Sequence, residues 1–266
     1  MLGGTISPSV TKLLQLTYFN LSCKDFGSSP IPAFFDLHDG PLFSNLYSKS
    51  LKWLNDLKEL KHLDMGGIDL SSASDWFEVI RTLPSLLEIH LSSCLLTQFP
   101  SIPTTVGFTS LIVLDLSYNI FSDSLLPDWI FSLHNLITLD LTNCYISGLS
   151  PGTQGGFHSM PFLKTLTVSS NTFVNSSSLL NGLSSLCNLR FLDVSNCNIS
   201  TPILASLHNL SLIVHLDLSN NEILEEIPKS LSNLCNLITL DLQSNNFSGN
   251  VSELLERFCE CESPKL

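Results

Sequence analysis

Apolar residues recur along this chain at steps of three and then a step of two. Phe108, Leu111, Leu114 and Leu116 lead to Asn119 and Phe121. Leu133, Leu136, Leu139 and Leu141 lead to Cys144 and Ile146, and Leu83, Leu86, Ile89 and Leu91 lead to Cys94 and Leu96. The shared template is L-x-x-L-x-x-L-x-L-x-x-(N/C)-x-(L/I/F), and one slot in it takes asparagine or cysteine. Further copies place Asn171, Cys197, Asn221 and Asn245 in that slot, and weaker early copies place Lys24 and Ile68 there. From residue 68 onward the slots are 26, 25, 25, 27, 26, 24 and 24 residues apart. Spacings this even mark one structural unit repeated in tandem.

The period is that of the leucine-rich repeat. Each copy predicts one short strand, centred on L-x-L, and a return path to the next. A single repeat cannot bury its leucines, but stacked neighbours can. The expected fold is an α/β solenoid over residues 1–266. It is a right-handed leucine-rich-repeat horseshoe of about nine to ten repeats, with a parallel β-sheet on the concave face and short 3-10 or irregular segments on the convex face. The leucines of L-x-L point inward, and the residues between and around them point outward. In the slot, an inward asparagine donates to and accepts from backbone groups left unpaired by the turn after the strand. Cysteine is small, tolerates burial and carries a weak S–H donor. The slot cysteines Cys94, Cys144 and Cys197 sit in alternate repeats, about 10 Å apart at the strand spacing, so they are expected to be free thiols. Lys24 and Ile68 do not suit the ladder. The stretch between them has no clean L-x-L, so residues 27–56 are expected to form a degenerate repeat that breaks the ladder after the first strand. Residues 250–266 are expected to be a truncated terminal repeat.

Of the 266 residues, 44% are hydrophobic, 14% are charged, and the formal net charge is −12. That balance argues against a nucleic-acid partner. No apolar run is long enough to span a membrane. The opening MLGGTISPSV has neither a basic nor an apolar signal-peptide region.

Several repeats continue past the slot toward I-P or L-P, as in EILEEIPKSLSNL, FSDSLLPDWIFSL and NNFSGNVSELL. With SPSVTKLLQLTYFNLS, LKHLDMGGIDLSSASDW, LPSLLEIHLSSCLLTQFPSIP, SLCNLRFLDVSN and NLCNLITLDLQSNNFSGNVSELL, these stretches resemble plant leucine-rich-repeat receptor-like proteins of the immune-receptor type, similar to the apple-scab-resistance and xylanase-receptor groups. The resemblance covers nearly the whole chain. It implies a membrane glycoprotein on the extracellular side of the plasma membrane, acting in plant defence by signal transduction through a co-receptor kinase. Such proteins carry a signal peptide, a paired-cysteine cap and a membrane helix. The chain is accordingly expected to be truncated at both ends, with Gly4 aligned on Gly148 and Gly249.

The resemblance and the solenoid geometry together make the expected function protein binding. A protein, peptide or glycan ligand is expected on the concave face. The candidate contact residues are Lys61, His62, Glu88, His90, Tyr118, Asn143, Lys164, Arg190, His215 and Gln243. The alternative is a secreted inhibitor of a cell-wall-degrading enzyme, of the polygalacturonase-inhibiting type, whose disulfide-bearing caps are missing here. The aspartates of L-D-L (Asp115, Asp140, Asp217 and Asp241, with Asp193 in L-D-V and Asp64 in L-D-M) read as a solvated row bonded to nearby hydroxyls. They are not accompanied by a nucleophile–base set, so neither enzymatic activity nor a cofactor is expected. Cys187 and Cys235 lie in two L-C-N-L stretches, and the spacing argues against most disulfide pairs. Sequons stand at Asn20, Asn175, Asn198, Asn209, Asn246 and Asn250, as candidate glycosylation sites if the chain enters the secretory pathway.

Overall fold

The computed structural model describes residues 3–22, 45–100, 110–121, 124–150, 156–173, 179, 182–200, 202–207, 209–228, 231, 233–249 and 252. The strands among them, in chain order, are β1 (Gly3–Thr5), β2 (Tyr18–Asn20), β3 (Asn45–Tyr47), β4 (His62–Asp64), β5 (Glu88–His90), β6 (Val113–Asp115) and β7 (Ser124–Leu126). They continue with β8 (Thr138–Asp140), β9 (Ile146–Leu149), β10 (Thr165–Thr167), β11 (Phe191–Asp193), β12 (His215–Asp217) and β13 (Thr239–Asp241). Nine of them form one parallel sheet in the order β13-β12-β11-β10-β8-β6-β5-β4-β2. The pairing is in register throughout, so that Leu63, Ile89, Leu114, Leu139, Leu166, Leu192, Leu216 and Leu240 form one inward row.

The step of three in the sequence produces the return path. In a 3-10 turn, residues i and i+3 fall on one face. Leu51, Leu54, Leu57, Leu60 and Leu63 are all fully buried along such a path, with Leu57 N–H donating to Leu54 C=O and Leu60 N–H to Leu57 C=O. The same i→i+3 bonds join Leu207, Leu210 and Ile213. Two short helices interrupt this pattern, α1 (Trp76–Ile80) and α2 (Asp128–Phe131). Their aromatic residues fill the convex side of the core. Phe77 packs on Trp129 with ring centroids 4.5 Å apart, and Phe131 meets Phe157 edge-on at 5.2 Å. Gly182 lets the next turn close over that spine, because a Cβ there would stand 3.0 Å from Phe157 Cδ2.

One expectation is corrected. The main sheet is not interrupted between Lys24 and Ile68, since β2 pairs directly with β4, Tyr18 opposite His62 and Asn20 opposite Asp64. Lys24 itself lies outside the described residues. Residues 45–56 supply β3 and a 3-10 turn over Lys52–Asp56 that buries Trp53 and Leu54. β3 pairs with β1 beside the main sheet, and β7 pairs with β9 in the same way. A bridge from Glu226 to Ser248 repeats this lateral contact near the other end. Gly4, within β1, and Gly249, just after the Glu226–Ser248 bridge, both have φ of +108°, whereas Gly148, within β9, has no positive φ. No helix among the described residues is long and apolar enough to cross a membrane.

The asparagine–cysteine slot is inward, as expected, and its chemistry is more specific than simple filling. Asn119 Oδ1 accepts Cys94 N–H at 3.1 Å and Leu96 N–H at 2.9 Å. Its Nδ2 donates to Leu91 C=O at 2.8 Å and Leu116 C=O at 2.7 Å. Asn171 and Asn221 repeat this arrangement on the turns of Cys144 and Cys197. A cysteine keeps only the donor half. Cys94, Cys144 and Cys197 donate Sγ–H to Met65, Leu116 and Val168 C=O, each at 3.1 Å. The missing acceptor is replaced by backbone. After each slot cysteine the next residue is left-handed, Leu95, Tyr145 and Asn198 having φ of 57°, 56° and 57°. The cysteine carbonyl then accepts from the preceding repeat, Leu70 N–H reaching Cys94 C=O at 2.9 Å and Phe173 N–H reaching Cys197 C=O at 3.3 Å. All three thiols are free and buried, and burial pushes their pKa values well up.

Candidate functional site

The outward face of the nine-stranded sheet is built from two in-register rows. The first runs Tyr18, His62, Glu88, Val113, Thr138, Thr165, Phe191, His215, Thr239. The second runs Asn20, Asp64, His90, Asp115, Asp140, Thr167, Asp193, Asp217, Asp241. Six of the nine residues in the second row are aspartate, and repetition at that level reflects a job shared by most repeats. Each aspartate Oδ1 accepts the backbone N–H two residues later, at 2.9–3.0 Å. This is the Asx turn that ends the strand. The expected hydroxyl bond is present at Ser117, whose Oγ donates to Asp115 at 2.6 Å. The next position after each turn is left-handed: Ser93, Tyr118, Asn143, Ser170, Asn196, Asn220 and Ser244 have φ between 51° and 57°. The N–H of each of these residues except Ser244 donates to the following repeat, as Asn143 does to Ser169 C=O at 2.8 Å.

The first row does not repeat, so it holds what is particular to this chain. His62, Glu88, His90 and His215 stand on the strands, half-buried, with side chains outward. Lys61, Lys164 and Arg190 are exposed on the rim, each one residue before a strand. Tyr118 and Asn143 lie on the left-handed turns beyond the strands, and Gln243 is exposed on the turn after β13. Asn143 is thus a turn residue with a conformational requirement, which its outward position alone did not suggest. Tyr18 and Phe191 share this face and escaped the sequence reading. Both stand at the template position of His62 and His215, and that shared position is the signal that identifies them.

Charge is matched unevenly along the face. His62 Nδ1 lies 2.9 Å from Glu88 Oε2, and His90 Nδ1 lies 3.6 Å from Asp115 Oδ2. Burial works against a charged His90, but the bond to Asp115 and the surrounding carboxylates outweigh it and raise its pKa above the ordinary histidine value. Asp115 is likewise penalised by burial, yet His90 and Ser117 hold its carboxyl below the usual range. Asp140 lacks such a cation. Burial and the neighbouring Asp115 charge push it up to about 6. Burial, with Asp217 behind it, raises Asp193 too. Among the described residues no cluster of three His, Cys, Asp or Glu is placed to hold a metal. The face can offer ion pairs, hydrogen bonds and ring stacking to a ligand.

Of the sequons, Asn20, Asn198, Asn209 and Asn246 are exposed. Asn20 lies on the sheet face, where its Oδ1 accepts Ser22 N–H at 2.8 Å. Asn175 and Asn250 lie outside the described residues, as do Cys259 and Cys261. Cys187 is free and exposed. Cys235, in the matching L-C-N-L, is disulfide-bonded, which its spacing from the described cysteines did not signal.

The leucine-rich-repeat family model matches residues 110–133, 135–157, 188–210, 213–234 and 236–258. Receptor-like protein EIX2 of Solanum lycopersicum is 32% identical over 247 residues, which is 74% of this chain and 22% of that protein. Receptor-like protein 35 of Arabidopsis thaliana is 38% identical over 203 residues, 71% of this chain and 20% of that protein. The chain therefore spans about a fifth of the length of these curated relatives. Among solved structures, the Arabidopsis receptor kinase HAESA, in complex with the peptide hormone IDA and the co-receptor SERK1, superposes with a TM-score of 0.66 at 25% identity. That match covers 89% of this chain and 35% of HAESA.

Proposed function

The chain belongs to the leucine-rich-repeat family and is similar along most of its length to plant receptor-like proteins, and on that footing we propose that it is a ligand-recognition module of such a protein. The ligand is a peptide held across the strands of the concave face. The observation that carries this reading is the outward first row, which is presented on an in-register sheet and mixes aromatic, charged, histidine and small residues from strand to strand while the inward row stays leucine or isoleucine from β4 to β13. The peptide class follows the HAESA complex, whose ectodomain holds a peptide hormone. Signalling through a co-receptor kinase and placement on the extracellular side of the plasma membrane follow from the same likenesses. A role in defence rests on the resemblance of the repeat wording to immune-receptor-type proteins. The candidate contacts named from sequence, together with Tyr18 and Phe191, are the residues proposed to meet the ligand.

The test is a selection of displayed random peptides of about a dozen residues against the folded chain. Enriched peptides are expected to lose binding to Thr138→Trp, which places a ring across the centre of the sheet face, and to keep it on Ser74→Trp, which adds the same bulk on the return path. Peptides that bind Thr138→Trp as well as wild type but fail on Ser74→Trp would place recognition off the sheet and end this reading.

A further inference from the structure

The two ends of the outward face differ in how far their charges are already satisfied. At one end His62 is engaged by Glu88 and His90 by Asp115. Farther along the sheet, Lys164 and Arg190 stand side by side on the rim just before the adjacent strands β10 and β11, Arg190 N–H donating to Lys164 C=O at 2.8 Å. Both side chains are exposed, and among the described residues neither makes an ion pair. Next to them Phe191 and His215 stack face to face, with ring centroids 4.2 Å apart and planes 4° from parallel. Rings stacked along the sheet stand upright from it. The free face of Phe191 therefore looks over Thr165, its register partner on β10, and that of His215 looks over Thr239 on β13. Beyond Thr165 the first row stays small through Thr138 and Val113 until Glu88. Four strand steps of about 4.8 Å make this a shallow trough roughly 19 Å long, with an aromatic wall at one end and an acidic wall at the other.

We propose that Lys164, Arg190, Phe191 and His215 form a subsite for an acidic residue adjacent to an aromatic one in an extended peptide. The subsite specifies the ligand of the concave-face reading above and rests on it. A carboxylate at the rim would meet an ammonium and a guanidinium on neighbouring strands, the second able to bind it bidentately. The adjacent ring would continue the Phe191–His215 stack over Thr165, at the offset or tilted geometry that aromatic pairs favour. Charge complementarity limits where the acid can sit. Asp140, Asp193, Asp217 and Asp241 line the second row, so an anion is repelled from the middle of the face and accepted at the rim. In a chain of net charge −12, two adjacent unmatched cations are the local exception to a repulsive field.

The experiment repeats the random-peptide selection on wild type and on the Lys164→Glu/Arg190→Glu double variant. Both side chains are exposed, so reversal is expected to leave the fold intact, which an unchanged far-ultraviolet circular dichroism spectrum and melting point verify. Wild type is expected to enrich Glu or Asp next to Phe, Tyr or Trp. Those peptides should bind the double variant about tenfold more weakly or worse, and raised salt should weaken wild-type binding. The double variant should itself enrich Lys or Arg beside the aromatic residue. Phe191→Ala should lose selection for the ring while keeping selection for the acid. Enrichment of peptides without the acidic–aromatic pair, or equal binding to the double variant, would overturn the subsite. If such peptides still lost binding to Thr138→Trp, the concave-face reading would survive it. A library from which nothing is enriched would overturn both.

Discussion

At the residue scale, the slot and the turns beside it carry most of the specific stabilisation. Asn119→Leu removes an acceptor for two buried N–H groups and a donor to two carbonyls. Leaving such groups unpaired costs about 1–3 kcal/mol each, so a fall in stability at the upper end of that range or beyond is expected in urea titration. Asn143→Leu looks neutral from its outward position, but φ at 143 is 51°. A leucine there should cost about 1 kcal/mol, and Asn143→Gly should be tolerated; a neutral Asn143→Leu would count against the turn as described. Asp140 gives a pH-dependent prediction. Its folded pKa of about 6 lies above the ordinary 3.8, so its protonated form favours the folded state. That contribution is fully present below about pH 4 and is lost as pH rises through about 6. Asp140→Asn keeps an acceptor for Thr142 N–H and should stabilise the chain by about 1 kcal/mol at pH 7.5, after discounting for partial exposure. The gain should vanish near pH 4, and a loss at pH 7.5 would show that Asp140 is better neutralised than its neighbours allow.

At the element scale, the ladder was legible because its signal is periodic and local. Leucines at steps of three and two state where the 3-10 turns and strands fall, and the slot states where the chain turns inward. Two features were not legible. The pairing of β2 with β4 across the stretch from Lys24 to Ile68 is non-local, and nothing in a repeat template says that a long gap is one step of the ladder. The left-handed residues after Cys94, Cys144 and Cys197 are a leucine, a tyrosine and an asparagine, side chains that carry no common turn signature. The candidate face was legible as alternation along each strand, but stacking between strands, as in Phe191 on His215, needs the register. The continuous ladder makes a prediction of its own. Leu57, Leu60 and Leu63 around β4 are fully buried, as the core of β5 is, while Leu240 in β13 is only partly covered. In hydrogen exchange, Met65 N–H, bonded to His90 C=O at 2.9 Å, should be protected like Leu91 N–H, and β13 should exchange faster. Exchange of Met65 as fast as β13 would mean that the ladder is broken between β4 and β5 rather than continuous.

At the scale of the whole molecule, the fold divides labour between rows. Inward rows repeat and hold the stack together; the second outward row closes most strands with an Asx turn, those of His90 and Thr167 excepted; the first outward row and its rim vary and are free to recognise. The central claim is that recognition happens on this face. Hydroxyl-radical footprinting in the presence of a selected peptide reads it directly, because oxidisable side chains stand both on the face and off it. Tyr18, Phe191 and His215 lie on the sheet face, whereas Tyr145 and Phe162 are 55% and 54% exposed away from it. The account predicts that bound peptide protects Phe191 and His215 and leaves Tyr145 and Phe162 oxidised as in the free chain. Protection of Tyr145 or Phe162 with Phe191 and His215 unchanged would contradict it.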